Sequence, residues 1–570
     1  MDEYNIRVKG TRTMDPDSGV ALHLQFKIGA GPSESFSCFK GLDEPIGCYS
    51  SSPSPSFMRG GLAPVYYEAK TGRVIDFKQV YSVVPNMAKC TTSSSGTACN
   101  EISMGTSLST IVFASSISYP DGEIHQIFYD VTTLQAANGG YTYSLPRPSR
   151  VVSNRGFEMR FTYFSNVLQS SPTDNGTAWL TPSSVSIFAR GNSVPLATVQ
   201  LTQCCTSNGE QSITDMAGNI WTGNFENIFG GTGSISSGRL VKPTSTVPVM
   251  TASSTAKEYR YPPQGDGSLL TNLVVGDQSW TYAYSHSVPL TTAATANNAS
   301  PTKVRTVTIN GPGGYHRVVT IDERKWDGGR ITQDVDSLNR ITSFVYVDDM
   351  ARRLSEVVYP EGNREVFTYD GLGNVLTHQQ VPKPGSGLAP LTIQAAYPPI
   401  SGCQGSNAAQ GTAAVPRSIS CYRPLWVKDA KGNQTDYVWD QVTGMILKKT
   451  DPAGPDGIRP ETRYSYTQRF AWWSDGNGGY TKADTPIWVR TSESRCQASA
   501  ATGNPAAPCA GNDEILTTLD YGPDAGPNYL LVRGVAVTSG GQTLRTCYSY
   551  DARGNKLSET RPLGTGGTCP

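Results

Sequence analysis

The sequence predicts an all-β protein in which antiparallel β-hairpins stack into one long sheet. Three observations favour this fold class: Gly, Pro and Tyr are abundant, at 58, 38 and 28 of the 570 residues; short segments alternate between apolar and polar residues; and one twelve-residue pattern occurs twice. Gly and Pro favour turns, whereas Tyr favours strands. The chain exceeds the usual size of one domain, so several domains or one repetitive body is expected.

The repeated pattern predicts a turn, a strand and a second turn. Residues 119–130 read YPDGEIHQIFYD, and residues 359–370 read YPEGNREVFTYD. In each copy Pro fixes φ, and the Gly two residues later, Gly122 or Gly362, supplies the positive φ of a tight turn. The copies end in Tyr-Asp, where the acid, Asp370 in the second copy, is expected to open the next turn. The strand between the turns has two distinct faces.

Further copies surround these two. The second turn, Tyr-Asp-x-x-Gly-Asn-x-Leu, occurs as YDGLGNVL at 369–376 and as YDARGNKL at 550–557. Phe225 and Trp439 replace Tyr in two weaker copies, and Asn339, which tolerates positive φ, replaces Gly in a third. A generic run of hairpins with convergent turns is the alternative, but Tyr-Asp and its Gly recur together at fixed offsets. The predicted structural repeat positions are Gly122, Tyr129, Asp130, Gly156, Tyr163, Gly218, Phe225, Tyr346, Gly362, Tyr369, Asp370, Gly373, Gly432, Trp439, Asp440, Tyr550, Asp551 and Gly554.

These motifs resemble the YD repeat, also called the RHS repeat, of bacterial Rhs polymorphic toxins, the C component of insecticidal toxin complexes, and teneurins. The resemblance implies a long antiparallel sheet of stacked hairpins wound into a spiral, hollow shell, which is either closed or open. It divides the chain into a divergent N-terminal β region or plug (1–118), degenerate repeats (119–330) and clear repeats (331–570). The last region carries insertions near 403–421 and 496–509.

In such toxins the shell is followed by a core segment with a DPxG-type motif and acids for self-cleavage, and then by a variable toxin. The stretch DPAGPDG at 451–457 occupies a repeat position and has shell-like sequence after it. The cleavage role is therefore not carried over to Asp451 or Asp456. The resemblance identifies the chain as a shell portion without core or toxin.

The twelve cysteines predict a disulfide-stapled protein. They fall at short intervals without CxxC spacing, which argues against zinc or thioredoxin-like chemistry. Small-residue loops such as those near 403–421 and 496–509 gain about 3 kcal/mol each from a disulfide in the loop-entropy account. The predicted pairs are Cys90–Cys99, Cys403–Cys421 and Cys496–Cys509, with buried free thiols as the alternative. Disulfides imply a secreted or cell-surface protein, although no signal peptide is visible in this sequence.

Charge and motifs exclude several function classes. The 47 basic and 47 acidic residues balance, which argues against a general nucleic-acid or anionic-membrane surface. No apolar run is long enough to span a bilayer. The GxSxG, P-loop, GxGxxG and HExxH motifs are absent, and the five histidines are dispersed. The sequence therefore predicts no catalytic, cofactor-binding or metal-binding residue and no enzyme, with a polysaccharide lyase or glycosidase on a β scaffold as the alternative.

The expected function is structural. The chain would form the β-shell of an exported Rhs-like protein, and its partners would be the remaining shell repeats and a C-terminal cargo or toxin outside this sequence. The alternative is an extracellular glycan-binding or protein-binding module of teneurin type. The neutral, aromatic-rich composition motivates this alternative, since Trp472, Trp473, Tyr480 and Trp488 could stack on sugar rings, although packing is the simpler role for them.

Overall fold

The protein is nearly all β in the computed structural model. The structure describes residues 6–15, 19–28, 33–39, 47–50, 57–59, 65–68, 71–77, 79–84, 89–93, 96–100, 109–135, 142–166, 179, 182–201, 210–214, 220–226, 236–241, 248–254, 256–259, 266–269, 272–275, 278–286, 303–323, 330–347, 353–399, 419–504, 508–524, 526–562 and 569. Two short 3-10 turns, Pro312–Gly314 and Ile419–Tyr422, accompany the strands in these ranges.

The described strands are numbered in chain order. Before residue 200 they are β1 (Ile6–Asp15), β2 (Gly19–Ile28), β3 (Ser33–Phe39), β4 (Gly47–Ser50), β5 (Phe57–Arg59), β6 (Val65–Tyr67), β7 (Val74–Asp76), β8 (Gln79–Val84), β9 (Lys89–Ser93), β10 (Gly96–Asn100), β11 (Ser109–Phe113), β12 (Ser116–Ser118), β13 (Ile124–Gln135), β14 (Thr142–Ser153), β15 (Phe157–Tyr163), β16 (Pro182–Ala189) and β17 (Ala197–Leu201). The middle strands are β18 (Glu210–Thr214), β19 (Ile220–Glu226), β20 (Ser236–Val241), β21 (Pro248–Ser254), β22 (Ala256–Tyr259), β23 (Asp266–Leu269), β24 (Asn272–Val275), β25 (Gln278–His286), β26 (Lys303–Asn310), β27 (His316–Glu323), β28 (Arg330–Val335), β29 (Ile341–Tyr346), β30 (Leu354–Val358), β31 (Arg364–Tyr369), β32 (Val375–Val381) and β33 (Leu391–Ala396). The last are β34 (Trp426–Lys428), β35 (Gln434–Trp439), β36 (Ile446–Thr450), β37 (Glu461–Arg469), β38 (Trp472–Ser474), β39 (Tyr480–Lys482), β40 (Ile487–Cys496), β41 (Glu514–Asp520), β42 (Gly534–Ser539), β43 (Gln542–Tyr550) and β44 (Lys556–Glu559).

Most of these strands belong to one antiparallel sheet of 38 strands, which does not close into a barrel. From β12 onward each strand pairs with its neighbours in sequence, except that β21 pairs with β24 and β37 with β40, which leaves β22–β23 and β38–β39 as separate hairpins. Near the N-terminus β1 pairs with both β2 and β11, and β12 pairs with β7 and β13. The predicted all-β fold of stacked antiparallel hairpins is confirmed.

The strip bends far enough to contact itself. Twenty-three strand-to-strand steps separate β13 from β40 along the sheet, yet the backbone N–H of Trp488 donates to the carbonyl of Asp121 at 2.7 Å. Asn154 Nδ2 likewise donates to Thr485 Oγ1 at 2.9 Å. Because neighbouring strands lie about 4.8 Å apart, the intervening sheet is about 110 Å long, and a circuit of that length is about 35 Å across. We call the contact between residues 119–196 and 471–554 the seam.

β-Bulges accompany this curvature. The register shifts immediately before an aromatic residue at Tyr129, Tyr163, Tyr346, Tyr369, Trp439, Tyr466 and Tyr550. A bulge bends its strand and increases the local twist. Its repetition before seven aromatics bends several hairpins at the same position, which favours a wound strip.

Buried apolar residues in the described part of the chain form three clusters, the smallest of which joins Leu372, Cys421 and Tyr422. One core cluster includes Ile75, Phe77 and Ile117, and a second one at the seam includes Trp473 and Ile487. By contrast, twelve of the twenty exposed large apolar residues in the described part of the chain lie between 331 and 447. Residues 331–447 therefore form a largely single-layered wall, apart from the small buried cluster around Leu372.

Candidate functional site

The two copies of the twelve-residue pattern fold into the same turn. The N–H of Gly122 donates to the carbonyl of Tyr119 at 3.0 Å, and that of Gly362 donates to the carbonyl of Tyr359 at 2.9 Å. Both glycines have positive φ, +89° and +82°. A side chain would be strained in this conformation, which explains why Gly stands at this place in both copies.

The repeat aromatic binds the preceding strand at a constant offset. Its polar hydrogen is donated to the backbone carbonyl fifteen residues earlier. The pairs are Tyr129 to Ala114 (2.8 Å), Tyr163 to Pro148, Tyr346 to Ile331 (2.9 Å), Tyr369 to Leu354 (2.7 Å) and Trp439 Nε1 to Pro424 (2.7 Å). Because the aromatic follows a bulge, this side-chain bond adds to the backbone hydrogen bonds between the two strands at the point where their register changes. At Tyr550 the offset is eighteen, to Val532.

An arginine sixteen residues before the aromatic covers its ring in four repeats. The guanidinium carbons lie 4.1 to 5.7 Å from the ring centroids in the pairs Arg147–Tyr163, Arg330–Tyr346, Arg353–Tyr369 and Arg423–Trp439. Such cation–π contacts stabilise a pair by about 0.5–2 kcal/mol. These arginines are not among the repeat residues predicted from the sequence. Aligning the chain on its repeat aromatics would have revealed their fixed offset, although not the contact.

The acid of the Tyr-Asp pair caps the following turn. Asp370 Oδ1 accepts bonds from the backbone N–H groups of Leu372 and Asn374 at 2.8 and 2.9 Å, and Oδ2 accepts one from Asn374 Nδ2 at 2.9 Å. The same three bonds form at Asp429 and Asp551. At both, the bond from the Asn side chain lowers the pKa of the aspartate. These acids therefore act as turn caps.

Other repeat residues depart from the simple pattern. Asp130 lies within strand β13, where it pairs with Arg147 at 3.5 Å, so it does not open a turn. Asp440 caps a turn that contains one extra residue, through Thr443, whose backbone bond lowers the pKa of Asp440. Asn339 has a φ of 61°, as expected for a residue in the place of Gly. Gly218 and the side chain of Phe225 lie outside the described residues.

Two disulfides are formed in the described part of the chain, one of which joins Cys496 to Cys509. The other joins Cys547 to Cys569, a pair that the sequence analysis did not single out. Cys421 is also disulfide-bonded, while Cys403 lies outside the described residues. The backbone places Cys90 opposite Cys99 in the β9–β10 hairpin, with their side chains outside the described residues. Disulfides persist in oxidising compartments.

The two copies differ in the carboxylates beside the turn. Glu123 accepts bonds from Ser153 (2.9 Å), Arg155 (3.2 Å) and His125 (3.0 Å). Burial alone would raise the pKa of Glu123, but these partners lower it to about 2. In the second copy the corresponding place is held by Asn363, and the nearby carboxylate is Glu365.

None of the groups of His, Cys, Asp and Glu in the described ranges of the chain could hold a metal ion. Within the same ranges, no helix has the length and apolar character needed to cross a bilayer.

Comparison with known proteins gives partial likenesses only. No protein-family profile matches the chain, and no curated protein matches it significantly. Among solved structures, the chain is similar to the Photorhabdus luminescens Tc holotoxin pore with the mutation TccC3-D651A, at 10% identity and a TM-score of 0.29 over 97% of this chain and 27% of that one. A complex of TcdB2, TccC3 and Cdc42 has 10% identity and a TM-score of 0.30, over 96% and 27% of the two chains. A TcdB2–TccC3 complex has 12% identity and a TM-score of 0.22 over the same shares. The chain spans about a quarter of the length of these solved chains.

Proposed function

We propose that this chain is a structural wall, a β-shell portion of an exported Rhs-like protein that encloses or presents a C-terminal cargo. The observation that carries this proposal is the seam, where the strip bends back so that residues 471–554 pack against residues 119–196. A circuit about 35 Å across leaves room inside for a polypeptide once a wall about 10 Å thick is subtracted.

The seam is built as a durable closure. It buries Trp473 (6% exposed) and Ile487 (0% exposed), and Phe157 stacks on Tyr529 with ring centroids 4.9 Å apart. The guanidinium of Arg190 lies over the Trp473 ring at 4.0 Å. Fully burying a large apolar side chain stabilises a contact by about 1.5–3 kcal/mol. Several such residues together favour a closed wall over an open strip.

The mechanism of such a wall is steric rather than chemical. Asp370, Asp429 and Asp551 accept bonds from their own turns, so these acids maintain the sheet. We therefore propose that the chain has no catalytic turnover, and that its partners are the cargo and further shell repeats. Export and an oxidising destination form part of the same proposal, which the disulfides favour.

Imaging of the full chain tests the enclosing role. Electron cryo-microscopy of particles should show a curved wall around a central void, and limited proteolysis should spare the seam strands. A flat or fully extended strip, or separate solid lobes without a void, would contradict the proposal. Site-specific hydrolysis that disappears on replacing a single carboxylate would contradict the absence of turnover.

A second candidate is a glycan-binding or protein-binding module at the cell surface. The twelve exposed large apolar residues between 331 and 447 favour it, because exposed apolar surface commonly marks an interaction site. Saturable binding on a glycan array or to a cell-surface protein would support this candidate. If binding occurs and imaging finds no void, the module is the better account.

A further inference from the structure

A cavity of about 540 Å³ lies beside the second copy of the twelve-residue pattern. Its apolar side includes Leu388 and Leu391, and its polar side is formed by Tyr359, Asn363, Arg364, Glu365 and Gln380. This size is typical of small-ligand sites, which combine apolar walls with a few convergent polar groups. Nothing in the enclosing role requires this cavity.

The carboxylate of Glu365 is held in a fixed orientation. The hydroxyl of Tyr359 donates to Oε1 at 2.8 Å, and Nε2 of His378 lies 2.8 Å from Oε2. The ring of Phe367 stacks on His378 with centroids 4.6 Å apart, which fixes the imidazole. Tyr359 first, and then His378, lowers the pKa of Glu365, so the carboxylate is ionised near neutral pH. Each oxygen accepts one bond and retains a lone pair for another donor.

The neighbouring charges are already paired with one another. Arg364 binds Glu356 at 2.9 Å, and Lys383 binds Glu361 at 3.1 Å. In the described part of the chain, Glu365 has an ion-pair contact with His378 and none with Lys or Arg. Glu365 is the one carboxylate among the residues that line the cavity, and the guanidinium of Arg364, which also lines it, is paired with Glu356.

The apolar wall is unusually open. Leu388 is 72% exposed and Leu391 is 53% exposed, and both belong to the segment that follows strand β32. Leucine side chains at the rim of a cavity can cover an aliphatic chain and exclude water from it. A ligand that reaches Glu365 would therefore lie along these two side chains.

We propose that this cavity binds an ammonium or guanidinium group carried on an aliphatic stem, as in the lysine and arginine side chains of a polypeptide. The charged head binds the ionised carboxylate of Glu365, and the stem packs against Leu388 and Leu391. Lysine and arginine side chains commonly pack their apolar stem against apolar surface while the charged tip contacts polar groups. The site is independent of whether the wall encloses a cargo.

The test is to titrate the full chain with three blocked amino acids and to measure their binding by calorimetry or NMR. N-acetyl-lysine methylamide and its arginine counterpart carry the proposed group, and N-acetyl-norleucine methylamide has a similar stem without charge. We expect the lysine or the arginine compound to bind at least tenfold more tightly than the norleucine compound. Preference between the two cations then identifies the source of the head group. Equal binding of all three compounds, or binding of none, would overturn the proposal.

Variants locate the site. Glu365→Gln should weaken binding of the preferred cation at least tenfold, whereas Glu361→Gln, the same change at the neighbouring ion pair, should alter it less than twofold. Leu388→Ser should weaken binding about threefold. Unchanged affinity of Glu365→Gln would overturn the assignment. If Glu365→Gln does not fold, the comparison of charged and neutral compounds on the unaltered protein still decides the question.

Discussion

The two copies of the twelve-residue pattern, at 119–130 and 359–370, have the same backbone turn in opposite surroundings. In the first copy an ideal Cβ on Gly122 would lie 2.7 Å from the carbonyl oxygen of Pro486, across the seam. In the second copy Glu361 is 71% exposed and pairs with Lys383, which is 58% exposed. One copy is thus enclosed between two parts of the strip, and the other lies on the single-layered wall.

The comparison shows that the local sequence pattern determines the backbone turn, whereas tertiary contacts determine how much the turn contributes to stability. Tyr, Pro and Gly produce the turn in both places, because turn geometry depends on φ and on short-range bonds. The stabilisation that each copy contributes depends on its neighbours. We therefore expect matched substitutions in the two regions to differ in their effect on unfolding, and the size of that difference measures the seam.

Truncating an apolar side chain should give the largest difference in stability between the seam and the wall. Ile487 is 0% exposed at the seam, and Ile341 is 45% exposed on the wall. Ile487→Ala should lower the free energy of unfolding by about 4 kcal/mol, because it leaves a cavity, whereas Ile341→Ala should lower it by less than about 1 kcal/mol. Urea denaturation of both variants measures this. Equal losses would show that the seam is not tightly packed.

Adding a methyl group at the turn glycines should have the next largest effect. Gly122→Ala combines an unfavourable positive φ with a clash against the Pro486 backbone, so we expect a loss of about 3 kcal/mol. At Gly362 the nearest atom is the side-chain Cδ of Pro384, at 3.0 Å, and we expect about 1–2 kcal/mol.

Hydrogen exchange supplies a local measurement for the glycine pair. The amide of Trp488 bonds the carbonyl of Asp121, so Gly122→Ala should accelerate its exchange, while Gly362→Ala should leave it unchanged. Faster exchange at Trp488 in both variants would mean that the two regions unfold as one unit.

Acid should weaken the first copy more than the second. The pKa of Glu123 is lowered to about 2 in the folded protein. A carboxylate with a depressed pKa contributes stability that is present above its unfolded pKa of about 4.5 and is lost as the pH falls towards 2. We expect Glu123→Gln to be about 2 kcal/mol less stable than the unaltered protein at pH 6, and about equal to it near pH 2.

The matched control for acid is Asn363, which holds the same place in the second copy and does not titrate. The difference between Asn363→Gln and the unaltered protein should not change with pH between 6 and 2. Urea denaturation across this range measures both variants. A pH-independent deficit for Glu123→Gln would show that its ion pairs contribute nothing specific.

The sequence was sufficient for the local features of the fold. The Gly offsets and the Tyr-Asp pair predicted the turns, and alternation predicted the strands between them. The exception at Asp130 has a visible cause: it is followed by Val-Thr-Thr, which favours a strand, whereas Asp370 is followed by Gly-Leu-Gly. Strand β13 therefore continues through the place where a turn was expected.

The seam and the cavity could not be predicted from the sequence, because both depend on long-range contacts. Asn154 and Thr485 are 331 residues apart, and their contact depends on the summed bend of all the strands between them. Amino-acid composition does not indicate where a bulge occurs, so the curvature of the sheet could not be predicted from the sequence. The cavity depends on Tyr359, Glu365 and Gln380 converging from a turn and two strands, which spacing alone does not indicate.

The smallest expected difference concerns the repeat tyrosines themselves. Tyr163, which is 9% exposed, and Tyr369, which is half-buried, each donate a hydroxyl to the carbonyl fifteen residues earlier. Tyr163→Phe should lower the free energy of unfolding by about 1.5 kcal/mol, because the Tyr163 side chain is 9% exposed and water replaces its lost bond poorly. Tyr369→Phe should lower it by about 0.5 kcal/mol, because water can reach the carbonyl of Leu354 and replace the lost bond. Urea denaturation with hydrogen exchange of strands β14 and β30 measures the two losses. A larger loss at Tyr369 would mean that the bonds from the repeat tyrosine hydroxyls to the backbone, rather than the seam, hold the wall in its curved form.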